Sequence, residues 1–255
     1  MTDDDVRLAH ALADAAGTAI RGYFRGALGI EHKEDASPVT LADCAAEAAM
    51  RAVLDTERPA DGIVGEEYGV TRGGAARRWV LDPIDGTRAF AIGRPIFGTL
   101  IALVEEATPV LGVIDQPILR ERWVGAAGRP TTFNDALARV RPCAALAEAR
   151  FGSTAPAHFD EAEHAAYLRV AGQARDALWG GDCYNYGAVA SGWLDGVIET
   201  NLKLHDFAAL VPVVEGAGGI LRDWSGRPLD AESDGRVIAL GDASLLDAVL
   251  ERLGG

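Results

Sequence analysis

The sequence predicts an α+β / α/β protein of two halves: helices ahead of an antiparallel-leaning sheet, then a layered alternation of helix and strand. Helix-period apolar runs cover residues 6–24 and 40–54. β-prone runs separated by turn residues follow between residues 97 and 125. From residue 149 onward segments of the two kinds alternate, which is the pattern of layered α/β architecture.

The elements follow in order. Val6, Ala9, Ala13, Ala16, Ile20 and Phe24 recur at helical spacing behind Asp3, Asp4 and Asp5, whose charges favour a helix start. Gly26 to Gly29 ends that helix, and Ile30 to Glu34 reads as a short strand. Ser37-Pro38 makes a turn, and Thr40 can cap a second helix through Leu54 with Asp43 in its first turn. Pro59 to Gly62 is a loop; Ile63-Val64 is a buried strand leading into Gly65-Glu66-Glu67-Tyr68-Gly69. Trp79 to Leu81 ends another buried strand, and Pro83, which cannot donate to a ladder, is expected to stop it at Asp82. Asp85-Gly86 is a turn pair, and Thr87 is expected to cap a helix from Arg88.

Phe97 to Val104 and Val110 to Asp115 are strands with Thr108-Pro109 as their hairpin signal. Arg122 to Gly125 is a third, with Gly128-Arg129-Pro130 turning after it. In the second half Ala149 to Gly152, Trp193 to Thr200, Gly219 to Trp224 and Val237 to Gly241 read as strands. Glu161 to Ala171, Asp182 to Ser191, Phe207 to Gly216 and Ser244 to Leu253 read as helices. A soft boundary between Asn134 and Arg150 divides the chain into halves of residues 1–140 and 141–255.

Apolar residues make up 49% of the 255, enough for a sizeable core. A formal charge of -14 without a Lys/Arg cluster argues against a nucleic-acid partner. It also means that any phosphate site needs local charge reversal, most simply by bound cations. The three cysteines, Cys44, Cys143 and Cys183, form no CxxC pair, which fits reduced thiols and a cytoplasmic location. The acidic N-terminus is unlike a signal peptide, and no apolar run reaches the ~18 residues of a membrane span.

The chemistry lies in the acids. Asp82 and Asp85 stand at a strand tip beside a helix start, where carboxylates can hold hard cations and N–H groups an anion. A surface Asp-Pro…Asp-Gly turn fits the same residues equally well. Glu66-Glu67 follows a buried strand, and two adjacent acids there repel unless a cation lies between them; a solvated loop is the plain alternative. Asp206 can be an N-cap and Asp43 a helix-dipole partner.

Together, Glu66-Glu67, Asp82-Pro83-Ile84-Asp85-Gly86-Thr87 and Asp206-Phe207-Ala208-Ala209 resemble the inositol monophosphatase superfamily. Ser37-Pro38-Val39-Thr40…Asp43 and Glu215-Gly216-Ala217-Gly218-Gly219 extend the likeness over nearly the whole chain. It implies a layered αβαβα sandwich, a homodimer, and a lithium-sensitive phosphomonoesterase using two to three Mg²⁺. One ion would be held by Glu66, Asp82 and the carbonyl of Ile84, and a second by Asp82, Asp85 and Asp206, with a weaker third near Glu66. The catalytic residues it implies are Glu66, Thr87 and Asp43: a metal-activated water oriented by Glu66 and Thr87 would attack phosphorus. Gly86 and Thr87 N–H groups would hold the phosphate, beside Asp85. Two metals can stabilise both in-line oxygens of that displacement. The family usually has Trp where this chain has His205, which implies altered packing rather than lost activity.

Phe97 to Leu103, Gly112 to Trp123 and Gly180-Gly181-Asp182-Cys183-Tyr184-Asn185-Tyr186 are most similar to the histidinol-phosphate phosphatase branch. By that likeness Asp182 and Glu199 contact the alcohol end of the substrate, where L-histidinol phosphate carries an ammonium and an imidazole. Asp182 can instead cap the helix to Ser191, and Tyr184 and Tyr186 read as core or pocket wall. His158 and His164 are too far apart to make one metal-binding helix face. The alternatives are an inositol-1-phosphate or broad small-molecule phosphatase and, ranked lower because the acid set is intact, a metal-binding regulatory protein.

Overall fold

The structure, a computed structural model, describes residues 1–26, 30–32 and 38–254. Helix α1 (Asp3–Tyr23) starts on a capping box: Asp5 N donates to Thr2 Oγ1 at 3.3 Å, and Thr2 N donates to Asp5 at 2.7 Å. Strands β1 (Ile30–His32) and β2 (Pro38–Thr40) pair antiparallel, and α2 (Leu41–Glu57) follows, three residues longer than its periodicity predicts. The expected helix end at Gly29, strand end at Glu34 and turn at Ser37 lie outside the described residues.

The first sheet is built from β3 (Gly62–Gly65), β4 (Gly69–Thr71), β5 (Arg77–Asp85), β6 (Gly98–Glu105), β7 (Thr108–Gln116), β8 (Glu121–Ala126), β9 (Arg129–Phe133) and β10 (Ala136–Leu137). Its order is β10-β9-β8-β7-β6-β5-β3-β4, antiparallel except where β3 runs beside β5. Helix α3 (Thr87–Ala91) leaves the end of β5. The second half comprises β11 (Arg150–Ser153), α4 (Glu161–Ala171), β12 (Asp176–Trp179), α5 (Tyr184–Ala190), β13 (Gly196–Glu199), α6 (Leu204–Phe207), α7 (Leu210–Gly216), β14 (Ile220–Arg222), β15 (Val237–Leu240) and α8 (Leu246–Gly254). Its strands form a mixed sheet ordered β12-β11-β13-β15-β14.

Period-two alternation sorts the core into layers. Trp79, Leu81, Ile101 and Leu103 point to α1 and α2. Val80, Leu100, Ala102 and Val104, on the other face, meet α5 and α7, as do Val197, Val237 and Ala239 from the second sheet. Ile198, Ile238 and Leu240 turn away toward α4 and α8. The result is an αβαβα sandwich whose middle helices serve both sheets.

Several local expectations are corrected. β5 does not stop at Asp82 but runs to Asp85, because the register shifts between Asp82↔Leu100 and Asp85↔Gly98. A bulge there leaves Pro83 without a ladder bond to make, while its carbonyl accepts from Thr99 Oγ1 at 2.8 Å. The β6–β7 turn is made by Glu106, at φ 58°, and Ala107; Thr108 and Pro109 belong to β7, at a register shift that tolerates the proline. Arg129 and Pro130 start β9 rather than completing a turn. The helix expected from Phe207 is two short ones, α6 and α7.

Gly112 and Gly125 face each other across β7 and β8. A Cβ on Gly112 would stand 1.9 Å from Ala209 O, and one on Gly125 2.1 Å from Pro212 O. This bare notch lets the α6–α7 backbone sit directly on the sheet. The Gly112→Ala variant is expected to lose about 1–3 kcal/mol by overpacking, read from urea unfolding. A change within error would show that the helix shifts at no cost.

Candidate active site

Parallel pairing of Gly65 with Leu81 sets the ends of β3 and β5 side by side, so the next residues, Glu66 and Asp82, share one rim. Glu66 N donates to Leu81 O at 3.2 Å. Asp82 is buried, and its Oδ1 has no hydrogen-bond partner. The bulge carries Asp85 back to the same place, where its Oδ2 accepts from Cys183 N at 2.6 Å. Asp206 arrives from α6; its Oδ2 accepts from Lys203 N at 2.7 Å, and His205 Nε2 stands 3.4 Å from its Oδ1. Thus Asp206 is not a helix N-cap: Lys203 holds that place, and Asp206, inside α6, reaches back to its N–H.

Among the described residues, carboxylate oxygens of Asp82, Asp85 and Asp206 lie within 4.8 Å of one another. Burial pushes the Asp82 carboxyl well above its usual range, and Glu66, Asp85, Asp206 and the buried Asp43 push it further. Burial, then Asp182 and Asp206, do the same to Asp85. Burial also raises Asp206, against the Lys203 N–H. Such a set is unfavourable without a countercharge. Hard oxygen donors, mutual repulsion and an orphaned buried lone pair on Asp82 all fit a divalent cation.

Thr87 is not the cap of α3. Gly86 is, at φ 89°, and the Thr87 hydroxyl donates to the Ile84 carbonyl at 3.0 Å. Glu66, Asp85, Thr87, Asp182, Glu199 and Asp206 line one cleft of about 640 Å³. Asp43 does not line it, but its charge adds to the field that raises Asp82.

The inositol monophosphatase family model matches residues 2–253. The chain belongs to the inositol monophosphatase family. It is 47% identical over 253 residues to the bifunctional phosphatase IMPL2, chloroplastic, of Arabidopsis thaliana, covering 96% of this chain and 73% of that one. It is 37% identical to a histidinol-phosphatase of Mycobacterium tuberculosis over 99% of each chain. The solved structure of an inositol monophosphatase from Zymomonas mobilis superposes with a TM-score of 0.91 at 53% identity, covering 99% of this chain and 98% of that one. Members of the family are generally metal-dependent, and this one is a phosphoric monoester hydrolase.

Against the inositol monophosphatase frame, the second half completes the cleft. Helix α5 starts at Tyr184 with Cys183 as its N-cap and no side-chain cap bond, so Asp182 does not cap it. Asp182 instead rests on Gly86, where a Cβ would meet its carboxyl at 3.0 Å. Burial pushes Asp182 up to about 6, with Arg88 pulling it down. Glu199 accepts from Thr154 N at 2.8 Å, from the Thr154 hydroxyl, and from Tyr186 Oη at 2.8 Å. Burial still lifts it to about 7. Tyr186 is pocket wall as expected, but its anchoring of Glu199 and the role of Thr154 leave no local sequence signal. Tyr184 Oη donates to Glu121 at 2.7 Å. Arg88, Arg94 and Lys203, cationic neighbours without a sequence signal, also line the cleft, as does His158, which the sequence argues against only as a metal partner of His164. No helix among the described residues is long and apolar enough to cross a membrane.

Proposed function

We propose that this chain is an Mg²⁺-dependent histidinol-phosphatase, releasing L-histidinol and phosphate from L-histidinol phosphate in histidine biosynthesis. The observation that carries this reading is the pair of acids, Asp182 and Glu199, in the same cleft as the three-carboxylate cluster. A cationic alcohol end satisfies the first pair once a metal has neutralised the second set. The 37% identity to proteins named histidinol-phosphatase supports it.

In this reading Glu66, Asp82, the Ile84 carbonyl, Asp85 and Asp206 would hold the Mg²⁺ ions. The ions supply charge neutralisation on the phosphoryl oxygens and a more acidic water. Gly86 and Thr87 N–H groups hold the phosphate. The Thr87 hydroxyl donates to Ile84 O and so would offer its lone pairs, together with Glu66, to orient the attacking water. Asp43 strengthens the field that holds the cations. Lithium competes for the same oxygens. In this reading the chain works as a homodimer in the cytoplasm, which three free thiols suit.

A second reading, an inositol-1-phosphate or broader phosphatase of the same mechanism, draws on a 33% identical inositol-1-monophosphatase and on the bifunctional relative. Phosphate release from histidinol phosphate, inositol 1-phosphate and glycerol 2-phosphate separates the two. Asp182→Ala is expected to lower kcat/KM for histidinol phosphate about 30- to 1,000-fold, or ~2–4 kcal/mol, and to leave glycerol 2-phosphate nearly unchanged. Equal loss on both esters would make Asp182 structural. Wild-type preference for inositol 1-phosphate would overturn the substrate assignment.

A further inference from the structure

Glu47 stands one α2 turn beyond Asp43, is fully buried and does not line the cleft. Its Oε2 accepts from Glu67 N at 2.7 Å, and its Oε1 from Tyr68 N at 3.2 Å and from Arg51 Nε at 2.7 Å. Arg51, four residues on, donates to Thr71 Oγ1 at 2.9 Å and to the Gly69 carbonyl, and its guanidinium lies 5.9 Å from the Tyr68 ring. The fit admits no side chain at Gly65, where a Cβ would stand 1.9 Å from Glu47 Oε1. Glu66 lies between Gly65 and these braced amides, with its own N–H bound to β5.

We propose that Glu47, with Arg51, is a positioning residue for the metal site: it fixes the β3–β4 turn so that Glu66 faces Asp82. The inference rests on the reading of Glu66 as a metal ligand. A buried charge in this place is costly unless its partners are complete, and here the partners are the backbone of the ligand loop itself. Ligand-supporting groups of this kind change metal affinity when removed.

Glu47→Gln is nearly isosteric, keeps one acceptor oxygen and gives up the charge. It is expected to weaken Mn²⁺ binding to the resting protein about 10- to 100-fold by calorimetry. It should also speed hydrogen exchange at the Glu67 and Tyr68 amides relative to the α2 amides. In wild type those two turn amides should be as protected as the α2 helix, a measurement that needs no variant. Fast exchange at both in wild type, or unchanged Mn²⁺ affinity in a folded Glu47→Gln protein, overturns the proposal. Wild type that binds no Mn²⁺ would instead sink the metal-site reading, while the exchange result still decides whether Glu47 holds the turn.

Discussion

Asp82→Asn is expected to lose at least about 10³-fold in kcat, several kcal/mol of transition-state stabilisation, while keeping its fold. Glu66, Asp85 and Asp206 all press on the Asp82 charge. Its orphaned Oδ1 is the atom best placed to serve a cation. Replacing it by a neutral amide of the same shape removes a ligand and also removes repulsion. The metal-free variant should therefore melt at or above metal-free wild type, in the same calorimeter run that confirms its folding. Retention of more than about a tenth of wild-type turnover would refute the role given to Asp82.

Excess chelator is expected to abolish turnover and to lower Tm, both restored by Mg²⁺. The pH dependence has a definite sign. The folded carboxyls of Asp82, Asp85 and Asp206 are raised above their unfolded range of about 4. Their contribution to stability is therefore full below that range and is lost as pH rises through the raised values. Metal-free protein should become less stable as pH rises above about 4, the unfolded carboxylate range, and Mg²⁺ should stabilise it most at the higher pH, where the acids are ionised. Ligand at ~100 times its Kd adds about 2.7 kcal/mol, or roughly 5–10 °C for a chain of this size. An Mg²⁺ shift of equal size at pH 5.5 and pH 8 would contradict the coupling between cluster charge and metal.

The sequence made the long central strands and the acids at their tips legible, because alternation and turn chemistry are local signals. Trp79 to Leu81 shows the strand, and Asp82 and Asp85 show its end. What stayed hidden depends on partners distant in sequence. Pro83 reads as a strand stop until the bulge opposite Leu100 and Gly98 is known. The Thr87 hydroxyl could cap or donate, and only the position of the Ile84 carbonyl decides. Glu47 looks like an ordinary helix acid; its partners, the Glu67 and Tyr68 amides, are 20 and 21 residues away. β12, four exposed residues of a sheet edge, has too little burial to leave an apolar pattern. The Phe207 to Gly216 run keeps helical periodicity across Ala208 and Ala209, so the break between α6 and α7 leaves no compositional mark.

The shared middle layer also dictates the order in which the protein can be completed on the ribosome. The first sheet is finished at Leu137, but α7, which seats its backbone in the Gly112–Gly125 notch, ends only at Gly216. Roughly 80 residues must still be made, some 4–16 s at ordinary elongation rates. Through that interval Val80, Leu100, Ala102 and Val104 form a bare apolar face on a nascent chain. The same helices that bring Asp206 to Asp82 are therefore the last cover for a surface that chaperones, or a neighbouring chain, would otherwise occupy first.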